Sequence, residues 1–159
     1  MRSTFEDPSP RVLLRSPRER VLLLAGRVGD EAVATWCAGL LKGDIAYDDR
    51  RHPSIKWLGG RHAAGELRLG NVEARGQDYW PRVWAARALM YLWHPLAEEA
   101  VLAGLHDPAW RVREMSAKVA RRHAISAAEP VLAHLLDDRV PRVRAAAEAA
   151  LTESARSPE

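Results

Sequence analysis

Residues 107–123, DPAWRVREMSAKVARRH, carry a pattern that occurs again on either side of them in the chain. The related stretches are DYWPRVWAARALMYLWH, which starts at residue 78, and DRVPRVRAAAEAAL, which starts at residue 138. In each stretch an aspartate stands four residues before the arginine of an Arg-Val pair, and these arginines are Arg82, Arg111 and Arg142. The steps of 29 and 31 residues between them are typical of stacked repeat arrays. The sequence therefore predicts a repeat architecture.

The apolar residues of the three stretches have helical spacing. Counted from the valine of each Arg-Val pair, positions +3, +4, +7 and +8 share one helix face with that valine. The residues on this face are Val83, Ala86, Arg87, Met90, Tyr91; Val112, Met115, Ser116, Val119, Ala120; and Val143, Ala146, Ala147, Ala150, Leu151. All but Arg87 and Ser116 are apolar or amphipathic. Since one helical hairpin alone cannot bury both of its faces, we expect the repeats to stack.

The spacing of aspartate, valine and arginine resembles a known family. The arrangement D-x-x-x-x-V-R-x-x-A is present in part as Asp107, Val112 and Arg113, and in full as Asp138, Val143, Arg144 and Ala147. It resembles the HEAT repeat, particularly the short bacterial form that is also found in phycobilisome lyase subunits. The resemblance is strong over residues 78–152 and weak around residues 55–56. It implies an all-α fold, a right-handed α-solenoid of helical hairpins.

The resemblance also implies roles for the motif residues. In HEAT repeats the loop aspartate and the arginine after the valine bond between neighbouring repeats. The residues that such bonds assign to the scaffold are Asp78, Asp107, Asp138, Arg113 and Arg144, and the valines of the motif are Val83, Val112 and Val143. Trp84 departs from the pattern, because it stands where the first repeat should carry its arginine.

The repeats are predicted to form part of a single domain. A length of 159 residues is ordinary for one domain. The predicted segments are a flexible N-terminal arm over residues 1–15, a degenerate part of the repeat domain over 16–77, a regular part over 78–152 and a frayed tail over 153–159.

Local signals place helices before the regular repeats. Ser16 and Glu19 fit a capping box at the start of a first helix, and Asp30 is the predicted cap of a second. A third helix is weakened by its Gly59-Gly60 pair. The segment that follows, residues 65–77, fits a short irregular helix, a hairpin or a loop, with the irregular helix or loop preferred.

The regular part is predicted to contain five helices, at about 80–93, 96–105, 109–123, 127–136 and 140–152. Short turns join them, so neighbouring helices should be antiparallel. The first of the five is apolar nearly all round. It is either covered on both sides, which the N-terminal helices would achieve, or it carries an exposed binding strip through Ala85, Ala88, Leu89 and Leu92.

Composition restricts the classes of function. The chain has 24 basic and 21 acidic residues and a net charge of +3, so its basic character is only weak evidence for nucleic acid. Cys37 is the single cysteine, which excludes an internal disulfide and a multi-cysteine zinc site. No apolar run reaches membrane-spanning length and no signal-peptide pattern is present, so we expect a soluble cytoplasmic protein without a membrane partner.

Motifs of conventional enzymes are missing from the sequence. It contains neither the phosphate-binding loop G-x-x-x-x-G-K-S/T nor the nucleophile elbow G-x-S-x-G. The six histidines lack metal-ligand spacing such as H-E-x-x-H. We therefore expect no metal, no cofactor and no enzymatic activity.

The predicted function is a non-catalytic scaffold that presents a concave helical surface to a protein or peptide partner. The second helix of each repeat should line this surface. The residues predicted to contact the partner are Glu114, Lys118 and Arg121, which point away from the core of one helix, and Trp80, Trp84, Arg113 and Arg144 at the edge of the groove.

Nucleic acid is the alternative partner. One interpretation of the arginines is a basic stripe for phosphates, formed by Arg82, Arg111 and Arg142 together with Arg113, Arg121, Arg122 and Arg144. In the other interpretation, Asp-Arg pairs four residues apart clasp each turn. Trp110 and Glu114 also resemble a tryptophan and an aspartate, one helical turn apart, in bacterial alkylpurine DNA glycosylases built on HEAT-like repeats. That resemblance implies a glycosylase-like activity on alkylated bases, although the acid in this chain is a glutamate.

Overall fold

The structure, a computed structural model, describes residues 5–156 of the chain. The helices in this part are α1 (Pro10–Leu13), α2 (Pro17–Val28), α3 (Asp30–Lys42), α4 (Lys56–Leu69), α5 (Trp80–Tyr91), α6 (Glu98–Gly104), α7 (Trp110–Arg122), α8 (Glu129–Leu135) and α9 (Pro141–Arg156). Short 3₁₀ turns, Pro95–Ala97 and Ser126–Ala128, lead into α6 and α8. The described residues form no strand, so the all-α prediction is confirmed.

The helices from α5 onward stack in two layers. One layer contains α5, α7 and α9, the second helices of successive repeats, and α7 packs against both of the others. Helix α6 packs on α7, and α8 packs on α9, from the second layer. This arrangement is the α-solenoid that the repeat spacing predicts.

The N-terminal helices do not pair as consecutive hairpins, in which each helix would pack mainly on the next one in the chain. Helix α3 packs mainly on α5 and also contacts α6, so it serves as the first helix of the repeat that α5 completes. Helix α2 packs on α4, which in turn contacts α5. The candidate binding strip of α5, formed by Ala85, Ala88, Leu89 and Leu92, is consequently buried. The N-terminal helices therefore cover α5 on both sides, which is the interpretation that excludes an exposed binding strip on this helix.

The three motif valines belong to the core. Val112 and Val143 are fully buried, and Val83 is 7% exposed. They lie near the starts of α7, α9 and α5, where the helices of the first layer meet. Full burial of a valine side chain stabilises a fold by about 1.5–3 kcal/mol, so the repeat motif marks positions that hold the stack together.

Helix α4 breaks at its Gly59-Gly60 pair. Gly60 has φ 57° and ψ −136°, so the helical hydrogen-bond ladder is interrupted there. The buried Arg20 side chain supplies donors at the break: Nε donates to the Trp57 carbonyl over 3.3 Å and Nη2 to the Leu58 carbonyl over 3.1 Å. A Cβ on Gly60 would lie 2.5 Å from Arg20 Cζ. Glycine is therefore required both by the backbone angle and by the approach of the guanidinium.

The segment before α2 differs from the expected flexible arm. Residues 10–13 form α1, and Trp57 Nε1 donates to the Glu6 carbonyl over 3.1 Å. Lys56 Nζ lies 3.0 Å from Asp7 Oδ2. These contacts tie residues 5–15 to α4, and residues 1–4 lie outside the described part.

The C-terminal end is also more ordered than a frayed tail over residues 153–159. Helix α9 continues to Arg156, four residues past the predicted end. Ser154 Oγ donates to Glu129 of α8, and Glu153 pairs with Arg121 of α7. The last turn of α9 is thus bonded to both neighbouring helices, while residues 157–159 lie outside the described part.

Local predictions at the earlier helix ends are confirmed in part. The capping box of Ser16 and Glu19 is present at the start of α2. Asp30 is not a cap, because α3 begins at this residue and its N-cap is Gly29, which has no side chain to bond. Over residues 65–77, α4 continues to Leu69 and is followed by turns, so the preferred interpretation of an irregular helix and loop is correct.

Candidate binding surface

Two ion pairs join successive repeats and fix the spacing of α5, α7 and α9. Arg82 Nε and Nη2 donate to the Asp107 carboxylate over 2.7 and 3.1 Å. Arg113 Nε and Nη2 donate to the Asp138 carboxylate over 2.9 and 3.2 Å. Each aspartate also accepts a hydrogen bond from the backbone N–H two residues further on. We call these two bidentate pairs the repeat clasps.

The Arg113–Asp138 clasp is the bond between neighbouring repeats that the HEAT resemblance implies, and the clasps rule out the alternative of pairs within one turn. They join residues 25 apart in sequence, so the expectation of carboxylate pairs four residues apart within a turn is wrong. Arg113 follows its valine as the HEAT motif requires. In the first repeat Trp84 occupies that position, and Arg82, on the other side of the valine, makes the clasp instead. Arg144 in the last repeat donates to the Asp138 carbonyl over 2.7 Å and is exposed.

Arg113 is a scaffold residue rather than a residue at the edge of a groove. Its side chain is 10% exposed, and that of Asp138 is 8% exposed. Burial on its own would raise the pKa of Asp138, but hydrogen bonds from Arg113 and from a backbone N–H lower that pKa below its usual value. The clasp is therefore an ion pair at neutral pH, and the prediction that Arg113 contacts a partner is not supported by its location.

Two more of the predicted contact residues are buried. Trp84 is 3% exposed, and its ring stacks on that of Trp80 at a centroid distance of 6.1 Å, so it belongs to the core and not to the groove edge. Glu114 is 8% exposed, and its Oε1 lies 3.1 Å from both Lys118 Nζ and Arg142 Nε. Glu114 thus orients two cations and offers little surface of its own.

Lys118 and Arg121 do lie on an open surface, where the sequence places them. Three adjoining depressions of about 320, 400 and 500 Å³ lie on this face, which α7 and α9 form together with Met90 of α5. Lys118 borders the first two depressions and Arg121 borders all three. Along α9 the small side chains of Ala145 and Ala149 leave space. We call this surface, bordered by Lys118, Arg121, Arg142, Ala145 and Ala149, the α7–α9 groove.

The groove carries both signs of charge with a basic excess. The charged side chains that line its depressions are Lys118, Arg121, Arg122, Arg142 and Arg156, which are basic, and Glu114, Glu148 and Glu153, which are acidic. The Lys118 and Arg121 side chains, 43% and 51% exposed, pair with Glu114 and Glu153. The Arg121–Glu153 pair is exposed on both sides, and such a pair contributes only about 0–1 kcal/mol, so a partner can replace it at little cost.

Arginines and aromatic rings alternate next to the groove, at the first turns of α5, α7 and α9. The guanidinium of Arg111 lies 4.4 Å from the centre of the Trp110 ring, 5.4 Å from that of Trp80 and 5.7 Å from that of Tyr79. The guanidinium of Arg142 lies 5.5 Å from the Trp110 ring. We call these five residues the aromatic shelf.

Sequence reasoning identifies the parts of the shelf but not their combination. It offers a basic stripe or clasps within a turn for the arginines and places Trp80 at a groove edge, whereas the structure interleaves arginines and rings. Trp80 is half-buried, and its Nε1 donates to the Gln77 side chain over 2.8 Å. The aligned repeats contain a signal for this combination, because Trp80 comes two residues before Arg82 and Trp110 comes directly before Arg111.

A family model described as HEAT repeats matches residues 70–152, which is 83 of the 159 residues. The chain belongs to the HEAT-repeat family. The match contains both repeat clasps and the aromatic shelf, and HEAT repeats generally act as scaffolds for protein interactions. It is a match to HEAT repeats in general, so the narrower likeness to phycobilisome lyase subunits stays a prediction. No curated protein and no solved structure matches the chain.

The HEAT repeats do not arrange Trp110 and Glu114 as an open pair of aromatic ring and acid. Arg111 and Arg142 lie over Trp110, and two cations hold the Glu114 carboxylate. A catalytic acid or base must come within hydrogen-bond reach of the substrate or of a water. The location of Glu114 therefore gives no support to the glycosylase-like alternative.

The described part of the chain contains neither a metal-binding cluster nor a membrane-spanning helix. Among residues 5–156 no three His, Cys, Asp or Glu side chains are grouped so that they could hold a metal ion. None of the helices in the same range is long and apolar enough to cross a membrane.

Proposed function

We propose that this HEAT-repeat protein is a non-catalytic scaffold that binds a segment of a partner protein along the α7–α9 groove. The observation that carries the proposal is the row of three adjoining depressions on the face of the second helices. Ala145 and Ala149 stand one helical turn apart on α9, so their small side chains leave room for the side chains of a bound segment. The charges around them supply specific polar contacts.

The distribution of charge favours a protein segment over a nucleic acid. Glu148 and Glu153 line the groove, where they would repel a phosphate backbone. Two of the arginines that a basic stripe would need, Arg82 and Arg113, are neutralised in the repeat clasps. A protein segment that has both charged and small apolar residues avoids this repulsion, because its charged residues can pair with the charges of the groove and its apolar residues can pack on the alanines.

The test is charge reversal at the two exposed cations of α7. The double variant Lys118→Glu/Arg121→Glu should stay folded, because the substituted side chains are 43% and 51% exposed and the buried Glu114 carboxylate keeps Arg142 as a partner. A thermal melt of the variant checks this. The control Arg18→Glu/Arg68→Glu changes the net charge by the same amount at exposed positions of α2 and α4. Proteins recovered from the native cell extract with each tagged variant are quantified by mass spectrometry, and the affinity for the recovered partner is then measured.

We expect the groove variant to bind the recovered partner about tenfold more weakly than the wild type, and the control to bind within twofold. Equal affinity of the groove variant and the wild type would remove the α7–α9 groove as the binding surface. Recovery that depends on nucleic acid, with an affinity that falls steeply as salt is raised, would favour the nucleic-acid alternative.

A further inference from the structure

One arginine of the repeat differs from its two equivalents. Arg82 pairs with Asp107, and Arg142 pairs with Glu114. Arg111, which aligns with both, makes no ion pair among residues 5–156, and its guanidinium lies over the rings of the aromatic shelf instead. The difference leaves, beside the α7–α9 groove, a positioned cation that has no ion pair in the described part of the chain.

The position of the Arg111 guanidinium suits it to bind an oxyanion. The Arg111 guanidinium is held near the aromatic rings as a cation, and its N–H donors make no ion pair within residues 5–156. A carboxylate can accept two of these N–H groups in parallel, the geometry in which arginine binds most strongly. Since the rings already restrict the side chain, less conformational entropy is lost on binding.

A second arginine extends the site towards the groove. The Arg142 side chain is 67% exposed, and only its Nε is bonded to Glu114. It lies over the Trp110 ring, as Arg111 does, so one indole holds two guanidinium groups. Because Arg142 also borders the α7–α9 groove, a ligand on the shelf can continue into the groove.

We propose that the aromatic shelf binds side-chain carboxylates of an acidic peptide segment, with Arg111 as the bidentate donor and Arg142 as the second cation. The proposal rests on the proposed function, since it specifies the chemistry of the partner segment that enters the α7–α9 groove. Acidic residues of the segment occupy the shelf, and the residues next to them continue along α9.

The shelf suits a carboxylate better than a nucleic-acid base. Base stacking needs a free aromatic face. The Trp80 ring has Trp84 stacked at 6.1 Å and Arg111 at 5.4 Å, and the Trp110 ring has both Arg111 and Arg142 against it. The rings thus serve to position guanidinium groups, and the groups left to contact a ligand are N–H donors.

The test measures binding of fluorescein-labelled probes by anisotropy. The probe is an eight-residue peptide of six glutamates and two leucines, and the matched control peptide has glutamine in place of glutamate. A single-stranded DNA octamer of thymidines supplies phosphate as the competing oxyanion. The protein variants are Arg111→Gln, Arg111→Lys and Arg139→Gln, the last at an exposed arginine that contacts no aromatic ring within the described residues. Thermal melts verify that each variant folds.

We expect Arg111→Gln to weaken binding of the glutamate peptide about tenfold or more. Arg111→Lys should weaken it at least threefold, since an ammonium cannot donate in parallel from a plane, and Arg139→Gln should stay within twofold of the wild type. Wild-type affinity of Arg111→Gln, full affinity of Arg111→Lys, or equal affinity for the glutamine peptide would overturn the proposal. Tighter binding of the DNA octamer with the same dependence on Arg111 would assign the shelf to nucleic acid instead.

The same variants separate this inference from the proposed function. If Arg111→Gln recovers the partner in full and Lys118→Glu/Arg121→Glu does not, the groove stands as the binding surface and the shelf proposal fails. If the glutamate peptide requires Arg111 and no recovered protein depends on Lys118 and Arg121, the shelf proposal stands and the proposed function fails.

Discussion

Replacing Asp138 by asparagine should weaken the clasp between α7 and α9 while keeping its shape. Asparagine keeps an oxygen that can accept from Arg113 and from the backbone, but it removes the charge opposite a guanidinium whose side chain is 10% exposed. Breaking a buried ion pair costs about 3–5 kcal/mol. Because Arg113 Nη1 keeps its bonds to the carbonyls of Asp107 and Pro108, we expect the lower end, about 3 kcal/mol.

The assay is urea unfolding followed by far-ultraviolet circular dichroism, with Asp137→Asn as the control at the exposed neighbouring aspartate. Arg113→Met and the double variant Arg113→Met/Asp138→Asn complete a double-mutant cycle. The double variant should be more stable than the two single losses predict, by about 2 kcal/mol, because it leaves no charge unpaired. A loss below about 0.5 kcal/mol for Asp138→Asn, or additive losses in the cycle, would refute the clasp as an energetic link between repeats.

Acid should weaken the same clasp. The folded-state pKa of Asp138 lies below its ordinary value, so the stability that it contributes is complete above the ordinary aspartate pKa and is lost as the pH falls through the lowered one. The difference in stability between the wild type and Asp138→Asn should therefore shrink on acidification. Unfolding curves across an acid pH series measure it, and a difference that grows as the pH falls would contradict the assignment.

The packing also predicts the effects of three glycine and serine substitutions and the reactivity of Cys37. Gly60→Ala should lower stability by about 1–3 kcal/mol in thermal melts because its φ is 57°, whereas Gly65→Ala, in the same helix with open space around it, should be neutral or stabilising by up to about 1 kcal/mol. Ser116→Ala removes a buried hydroxyl that has no hydrogen-bond partner within the described part, so urea melts should show unchanged or higher stability, and a loss above about 1 kcal/mol would contradict this. Burial raises the pKa of Cys37 to about 12, so a thiol reagent should modify it only after unfolding, and rapid reaction of the native protein would disprove its burial.

Much of the helical array can be predicted because its signals are local. The Ser16–Glu19 capping box, the period of the apolar residues and the turns between repeats each act within a few residues. The valines at 83, 112 and 143 mark core positions for the same reason. These features determine where a helix begins and which of its faces is buried, so they predict the α-solenoid.

The pairing of charged side chains cannot be read from local spacing. Asp107 has one candidate arginine four residues later in sequence, yet it binds Arg82 of the preceding repeat, because stacking brings that guanidinium to it. The first repeat shows this dependence, because Trp84 places a buried indole at the motif position and Arg82, two residues earlier, makes the clasp. The partner of each aspartate therefore depends on how the repeats stack.

The candidate site could also be predicted only as far as local helix periodicity reaches. Lys118 and Arg121 follow from helix periodicity, since both point away from the core face. Glu114 shares their face but is covered by the cations around it, and Trp84 is covered by helices that lie earlier in the chain. Burial by distant segments is a property of the tertiary structure, so a helical pattern cannot reveal it.

Position-specific photo-crosslinking in the native cell extract tests the central claim, that the α7–α9 groove is the binding surface. Ala145 is exposed within the groove, and Ala133 is exposed on α8 in the other layer. A photoreactive residue at position 145 should give a protein adduct that Lys118→Glu/Arg121→Glu abolishes, while one at position 133 should give none. Equal adducts from both positions, or an adduct that survives the charge reversal, would contradict the claim.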